Sequence, residues 1–305
     1  MHSRHIARGP IAYLAILALT FFLGTGWAQT ETLIHSFAGG TDGATPFAGL
    51  IGDPKGNGYG TTYAGGGSSA CPGGCGTVYK ISSSGKESVI HAFTGGTTDG
   101  CYPYAPLVID KNGNLYGTTS GCGTNNTGSV FKVSPSGTET ILHNFGVAFI
   151  GGDGSYPRGG LALDAQGNLY GTTTQGGVLP DVGGTVFKLT PSGVETVLYS
   201  FTGGADGGEP LAGPILDASG NLYGTTHIGG TNSEGTVFEV SASGNETVLH
   251  SFGSTGDGLF PDGGLVFDKK GNLYGTTSEG GSFGAGTVFA VTPLLRQSNF
   301  STASA

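Results

Sequence analysis

Short runs of alternating apolar and polar residues, separated by glycine-rich turns, follow one another along the chain. Four kinds of run recur in a fixed order, and such alternation is typical of half-buried β-strands. Strand a starts on Ala or Gly and ends on Asp, as in Ala105 to Asp110. Strand b carries Tyr-Gly-Thr-Thr, strand c reads Gly-Thr-Val-Phe-Lys, and strand d reads Glu-Thr-Val-Leu-His-Ser-Phe. This pattern predicts an all-β chain.

The four-strand unit is repeated. Strand b places a tyrosine inside Gly-Asn-x-Tyr-Gly-Thr-Thr at intervals of 57, 54, 53 and 51 residues, at Tyr59, Tyr116, Tyr170, Tyr223 and Tyr274. A repeat of about 50 residues that contains four short strands is typical of a β-propeller with four-stranded blades. We therefore predict one all-β domain over residues 29–293, a five-bladed β-propeller of four-stranded antiparallel blades.

The strand count also predicts how the ring closes. The predicted d strands are residues 31–37, 87–93, 139–145, 195–201 and 246–252. The first of them has no blade before it, and the last a–b–c set, which ends near Val291, has no strand d after it. Pairing the N-terminal strand 31–37 with that last set completes the fifth blade, with Ile34 near Val288. Such pairing leaves no open sheet edge.

Both ends of the chain lie outside the predicted domain. Residues 1–28 are predicted to be a signal peptide, because Arg4 and Arg8 precede the apolar stretch from Ile11 to Leu23 and small residues follow it. The rest of the sequence has no apolar run long enough to span a membrane. Residues 294–305 are expected to be a flexible polar tail. We expect an exported monomer, in the periplasm or outside the cell.

Charge argues against nucleic acid as a partner. The chain has 12 basic and 21 acidic residues, and removing the signal removes two basic residues and no acid, so the net charge goes from −9 to −11. The remaining basic residues are scattered, whereas a polyanion-binding surface needs them clustered. The acidic excess favours solubility.

All four cysteines lie in the first two repeats, and export makes disulfides chemically reasonable. Three pairings are possible. We favour Cys71–Cys75 within a short loop and Cys101–Cys122, whose two loops are predicted to lie on the same face of the second blade. A zinc site is the alternative, but the spacing lacks paired Cys-x-x-Cys units and no histidine is near.

The loops that precede the blades share Asp-Gly-x-x-Pro. We call their acidic residues the loop aspartates: Asp42, Asp99, Asp153, Asp206 and Asp257. They are candidates for binding sugar hydroxyls or a calcium ion, with avidity from five near-equivalent sites. The structural interpretation, which we favour, is that each makes an Asx-turn in its own loop. No bound metal or other cofactor is expected, and calcium is the alternative left open.

Several aromatic residues break the repeat on the face formed by the d-to-a and b-to-c loops. These are Tyr63, Tyr102, Tyr104 and Tyr156, and His227 is a further non-repeating residue on that face. Tyrosine rings together with carboxylates suit a carbohydrate ligand. The alternative is that these tyrosines pack their own long loops. The strand-d histidines are expected to be spread around the perimeter, too far apart to share one metal ion.

Catalysis would require acids that break the repeat, because a general acid and a general base need different environments. The non-repeating acids are Asp181, Glu209, Glu234, Glu239, Asp262 and Glu279. Glu209 and Asp262 are those expected to point toward a central channel. Their spacing does not require catalysis, and the Gly-x-Ser-x-Gly match at residues 280–284 lacks the helix that a nucleophile elbow needs.

The repeat, for example Gly220-Asn221-Leu222-Tyr223-Gly224-Thr225-Thr226, resembles the Gloeo/Verruco (GloVer) tandem-repeat proteins of exported bacterial origin, over residues 31–293. A more distant resemblance is to NHL-repeat and lactonase-like propellers. The GloVer resemblance implies no catalytic residues. We expect a secreted, non-catalytic binding module for glycan or another envelope component; the alternatives are a lactonase-like or glycoside-acting propeller hydrolase and a purely structural envelope protein.

Overall fold

A computed structural model describes residues 31–146, 152–179 and 182–293 of the chain. The predicted signal peptide, the predicted C-terminal tail and Asp181 lie outside the described residues. Every sheet of the described chain lies within residues 34–293, in one compact unit. The described residues contain no helix, and so none with the length and apolar character needed to cross a membrane.

Five antiparallel sheets follow one another along the chain, each built from one repeat unit. Sheet 1 contains β1 (Ile51–Gly52), β2 (Gly58–Thr62), β3 (Thr77–Ile81) and β4 (Glu87–Ala92). Sheet 2 contains β6 (Val108–Ile109), β7 (Leu115–Thr119), β9 (Ser129–Val133) and β10 (Glu139–Asn144), beside the pair β5 (Gly100–Cys101) and β8 (Gly121–Cys122).

The next two sheets have the same strand order. Sheet 3 contains β11 (Ala162–Leu163), β12 (Leu169–Thr173), β13 (Thr185–Leu189) and β14 (Glu195–Ser200). Sheet 4 contains β15 (Ile215–Leu216), β16 (Leu222–Thr226), β17 (Thr236–Val240) and β18 (Glu246–Ser251). Sheet 5 has three strands, β20 (Val266–Phe267), β21 (Leu273–Thr277) and β23 (Thr287–Val291), beside the pair β19 (Gly258–Leu259) and β22 (Glu279–Gly280).

Strands form at the predicted a, b and c segments and at four of the five predicted d segments. The c strands lie on the predicted segments of the Gly-Thr-Val-Phe-Lys type, and the four d strands end one residue earlier than predicted. Strand a is two residues long in every sheet, shorter than predicted, and the turn after it is held by its aspartate. In the turn of sheet 1, Oδ1 of Asp53 accepts the backbone N–H groups of Lys55 and Asn57, and Oδ2 accepts Asn57 Nδ2 and the Tyr59 hydroxyl.

The hydrophobic core lies between neighbouring sheets. The phenylalanine at the end of each d strand packs edge-on against the strand-c aromatic of the next sheet, as Phe93 does on Phe131, with 5.1 Å between ring centroids. A glycine makes room for that ring: a Cβ on Gly117 would lie 2.6 Å from the Phe131 ring. The glycine of Tyr-Gly-Thr-Thr therefore permits the close approach of this ring. Hydroxyls add a bond between sheets, as Thr118 Oγ1 donates to the Gly159 carbonyl.

The d-to-a and b-to-c loops of each sheet lie together, as predicted. They pair as short strands in sheets 2 and 5 and through the bridges Ala44↔Ala64, Ser155↔Gln175 and Gly208↔Ile228 in the others. We call this side the loop face. Both predicted disulfides, Cys71–Cys75 and Cys101–Cys122, are formed there, with Cα–Cα distances of 5.1 and 5.3 Å.

The predicted strand 31–37 does not form a strand within the described chain. Residues 31–38 have no strand assignment, and β23 pairs with β21 alone. Residues 34–37 nevertheless pack on sheet 1 as a d strand would, because Phe37 lies 4.9 Å from the Tyr79 ring in an edge-on contact. Val288, whose equivalents in the other sheets are fully buried, is 80% exposed. The closing pairing is therefore not formed in this structure.

Candidate functional site

The loop aspartates lie next to the outer strand d and do not converge on a common centre. Each accepts backbone N–H groups of its own loop, as Asp99 does from Thr94 and Gly100. Each also lies near the strand-d residue that precedes it: His143 Nε2 is 2.7 Å from Asp153 Oδ2, and the Tyr199 hydroxyl donates to Asp206. The backbone donors lie four to seven residues before each aspartate or directly after it, so these bonds hold the loop but are not Asx-turns.

Within the described residues, a third residue completes four of these five groups at the boundary with the sheet that holds the next d strand. The first residue of the next d strand is a glutamate that faces the aspartate, as Glu139 faces Asp99. Burial, and then the carboxylate beside each, raises the pKa of Glu139 and of Glu246 to about 7. These groups repeat next to the outer strands, and none of their residues lines the cavities described below.

The residue before the proline in every Asp-Gly-x-x-Pro loop has a left-handed backbone. The φ values lie between 52° and 59° for Thr45, Tyr102, Tyr156, Glu209 and Phe260. Left-handed backbone is uncommon for residues other than glycine and clusters at functional sites. Both backbone groups are held: the Tyr156 N–H donates to the Thr127 carbonyl, and the Tyr156 carbonyl accepts the N–H and the hydroxyl of Thr174.

The residues after these prolines line one cavity on the loop face. Each sheet contributes one of them: Phe47, Tyr104, Arg158, Leu211 and Asp262. The cavity has a volume of about 520 Å³ and is also lined by Tyr63 and Ser120. A second cavity of about 430 Å³ shares Arg158 and Leu211 and adds Tyr156, Thr174, Gln175, Glu209 and His227. We call the two together the central cavity.

One wall of the central cavity is aromatic. Tyr63 stacks on Tyr102 with 4.8 Å between ring centroids and an interplanar angle of 20°. Phe47 lies 4.9 Å from Tyr104 and 5.6 Å from Tyr63. The Cys101–Cys122 disulfide joins the two loops beside this cluster, next to Tyr102 in sequence. The wall therefore has large rings on a covalently fixed backbone.

The opposite wall is polar and charged. His227 Nδ1 lies 2.6 Å from Asp262 Oδ1, and the imidazole lies over the Phe260 ring at 5.0 Å. Arg158 lines both parts of the cavity and makes no hydrogen bond or ion pair within the described residues. Glu209 lines the second part. Charged groups on this wall are thus available to polar groups of a ligand.

The structure places the predicted tyrosines and His227 at the central cavity, whereas the loop aspartates are not part of its lining. Tyr63, Tyr104, Tyr156 and His227 line the central cavity, and Tyr102 packs behind Tyr63. Sequence reasoning missed Phe47, Arg158, Leu211 and Phe260. The available signal was that the position after each loop proline carries a different residue in all five repeats.

A larger recess of about 690 Å³ lies elsewhere, between the a-to-b turns of sheets 3 and 4. Its lining includes Asp164, Asn168 and Tyr170, which already bond to one another within the turn. These residues recur in every repeat, as predicted for structural residues. We therefore place the candidate site at the central cavity, although each of its two parts is smaller than this recess.

A family model of the Gloeobacter/Verrucomicrobia repeat matches residues 20–179 and again residues 146–304. Comparison with curated proteins gives no match. Among solved structures, the extracellular domain of a protein assigned as a one-component system from B. thetaiotaomicron is 11% identical, over 81% of this chain and 27% of that chain, with a TM-score of 0.50.

Two enzyme structures are also similar. A streptogramin B lyase structure is 14% identical over 81% of this chain and 69% of that chain, with a TM-score of 0.49. A gluconolactonase from Xanthomonas campestris is 16% identical over 80% of this chain and 71% of that chain, with a TM-score of 0.44. Such low identity carries no activity to this chain. By its two repeat matches, the chain belongs to the Gloeobacter/Verrucomicrobia repeat family, with an all-β, propeller-like fold.

Proposed function

We propose that this protein is an exported, non-catalytic binding module that holds a small glycan in the central cavity. The observation that carries the proposal is the pairing of an aromatic wall with a charged wall in a cavity lined by all five repeats. Sugars present apolar ring faces and outward hydroxyls, so they need both kinds of wall. The two disulfides support export, because such bonds persist in oxidising compartments.

The proposal includes a closed five-bladed ring. Val288 and Val266 are 80% and 63% exposed on sheet 5, which is unusual for apolar residues in a sheet. Pairing of residues 34–37 with β23 would cover Val288 and remove an open sheet edge. Closure would also fix the position of Phe47, from the first repeat, relative to Asp262, from the fifth.

A glycan array of the untagged protein, run with and without calcium, tests the binding function. For a glycan that binds, Tyr104→Ala is expected to raise the dissociation constant about tenfold or more. This is a loss of about 1.4 kcal/mol in binding free energy. Phe283→Ala is the matched control, because Phe283 is an aromatic residue in a b-to-c loop, 97% exposed and outside the cavity. Absence of any glycan signal, or equal loss in both variants, would contradict the proposal.

A second candidate is hydrolysis of a lactone or a glycoside in the same cavity. The observation that favours it is the His227–Asp262 pair, since a carboxylate on one imidazole nitrogen is a common way to orient a general base. Glu209 adds a carboxylate in the part of the cavity that His227 lines. Turnover of a lactone and aryl-glycoside panel that is lost in His227→Ala would establish this function instead.

A further inference from the structure

We propose that the boundaries between sheets 1 and 2 and between sheets 2 and 3 each bind one divalent transition-metal ion through a histidine, an aspartate and a glutamate. The first site comprises His91, Asp99 and Glu139, and the second comprises His143, Asp153 and Glu195. In each, one ligand atom from every side chain lies within 4.8 Å of the other two. The histidines and glutamates lie on the outer strands and the aspartates in the loops that follow, and none of the six lines the central cavity.

Three of the six side chains have a buried atom without a hydrogen-bond partner, whereas His143 Nε2 lies 2.7 Å from Asp153 Oδ2. The Oε1 atoms of Glu139 and Glu195 are fully buried and have no hydrogen-bond partner. His91 Nε2 is also fully buried and has no hydrogen-bond partner. A buried carboxylate oxygen without a donor is costly, because its hydration is lost and nothing replaces it. A cation between the three side chains would satisfy these atoms together.

The surrounding residues hold the ligands in place. The Asp99 carboxylate accepts bonds from the N–H and hydroxyl of Thr94 and from the N–H of Gly100, which fixes it beside His91. The His91 ring packs edge-on against Phe93 at 4.8 Å. Equivalent contacts hold the second site, where the Gly146 N–H donates to Asp153 and His143 packs on Phe145. Such supporting bonds are typical of metal sites.

The chemistry of the donor set selects the class of ion. Two carboxylates with a neutral imidazole carry a net charge of −2, which a divalent cation neutralises. Imidazole together with carboxylates suits Zn²⁺ and the neighbouring transition metals, whereas calcium and magnesium sites use oxygen ligands. We therefore choose Zn²⁺ as the probe.

The chain contains its own comparison at the boundary between sheets 3 and 4. There Tyr199 occupies the histidine position, and its hydroxyl donates to Asp206 while Glu246 faces that carboxylate. A neutral phenol that donates to the aspartate does not offer the imidazole nitrogen that the ion needs. This boundary is expected to bind no ion, and Glu246→Gln is the matched control.

Isothermal titration of untagged, chelator-treated protein with Zn²⁺ tests the proposal. Two equivalents are expected for the wild type and for Glu246→Gln, one each for His91→Gln and His143→Gln, and none for the double variant. The midpoint of thermal unfolding should rise with Zn²⁺ in the wild type and stay constant in the double variant. Binding that is unchanged in the double variant, or no binding to the wild type, overturns the proposal.

A spectroscopic measurement on the wild type removes any dependence on variants that fold poorly. Co²⁺ in place of Zn²⁺ should give visible absorption bands that saturate at two equivalents and disappear on adding Zn²⁺. A spectrum equal to that of free Co²⁺ overturns the proposal without the need for a variant.

Discussion

The imidazole of His227 and the carboxylate of Asp262 lie 2.6 Å apart although 35 residues separate them in the chain. His227 follows strand b of sheet 4, and Asp262 follows the loop proline of sheet 5. Their contact fixes the imidazole over Phe260 at the polar wall of the central cavity. The pair therefore depends on the relative position of two neighbouring sheets.

Asp262→Asn is expected to weaken glycan binding about tenfold while leaving the free energy of unfolding within about 1 kcal/mol of wild type. Exposed ion pairs contribute little to stability, whereas a ligand loses a charge-assisted hydrogen bond. Isothermal titration with a glycan found on the array measures the first quantity and urea unfolding the second. Glu279→Gln, the same loss of charge outside the cavity, is the control; equal weakening in both would refute this role.

Glu209→Gly is expected to stabilise the protein by about 1 kcal/mol while weakening binding. The backbone at Glu209 has a φ of 52°, which costs a residue with a Cβ about 1 to 2 kcal/mol and glycine almost nothing. The control is Leu211→Gly, two residues further along the same cavity and without a left-handed backbone. If urea unfolding shows both variants destabilised to the same degree, the left-handed residue stores no strain.

Glu246→Gln is expected to stabilise the protein above pH 7 and to leave it unchanged below pH 4.5. The pKa of Glu246 rises from 4.5 to about 7 in the folded protein, through burial and then the Asp206 carboxylate. Its protonated form therefore favours folding below the unfolded pKa, and that contribution is lost as the pH rises through 7.

The shift in the pKa of Glu246 corresponds to about 3 kcal/mol, and solvent screening at this partly exposed site reduces the expected gain to about 1 kcal/mol at pH 8. Asp206 and Tyr199 are the other titratable groups at the site. Urea unfolding across this pH range is the measurement, with Glu279→Gln as control. A difference between variant and wild type that does not change with pH would exclude the mechanism.

Ring closure predicts a specific cross-link. In sheets 3 and 4 the first residue of strand c pairs with the last serine of strand d, as Thr236 does with Ser251. By the same register, Ser36→Cys with Thr287→Cys should form a disulfide in the oxidised protein and raise the free energy of unfolding by about 2 to 4 kcal/mol.

Mass spectrometry of a non-reduced digest detects this cross-link. Ser36→Cys with Ser243→Cys is the control, because Ser243 lies in an exposed turn of sheet 4, away from β23. A cross-link no more frequent than in the control would mean that the sheets remain open at this point.

The regular part of the fold was predictable because each sheet is specified locally. Strand c of sheet 4 starts at Thr236 and ends at Val240, as its alternation predicts, and the two disulfides follow from loops placed on one face. The closing strand was predicted by counting, but its pairing depends on residues far apart in the chain. Phe37 of that segment packs on Tyr79 of sheet 1, but the segment pairs with no strand of the described chain.

The site was only partly predictable. Tyr63 and His227 could be singled out because they differ from their counterparts in the other repeats. Arg158 could not be placed, because nothing in the sequence tells which side of the backbone it occupies after a left-handed residue. The His–Asp–Glu groups were missed for a different reason: Glu139 comes from the next repeat, 48 residues after His91, and only the contact between sheets brings them together.

Each left-handed loop residue is held by hydrogen bonds to its own backbone atoms. These bonds therefore do not depend on which side chain the residue carries. Tyrosine, glutamate, phenylalanine and threonine already occupy this position in one molecule. Two of these residues, Tyr156 and Glu209, line the central cavity directly. A protein engineer could exchange them one at a time to retarget the pocket while the sheets beneath stay as they are.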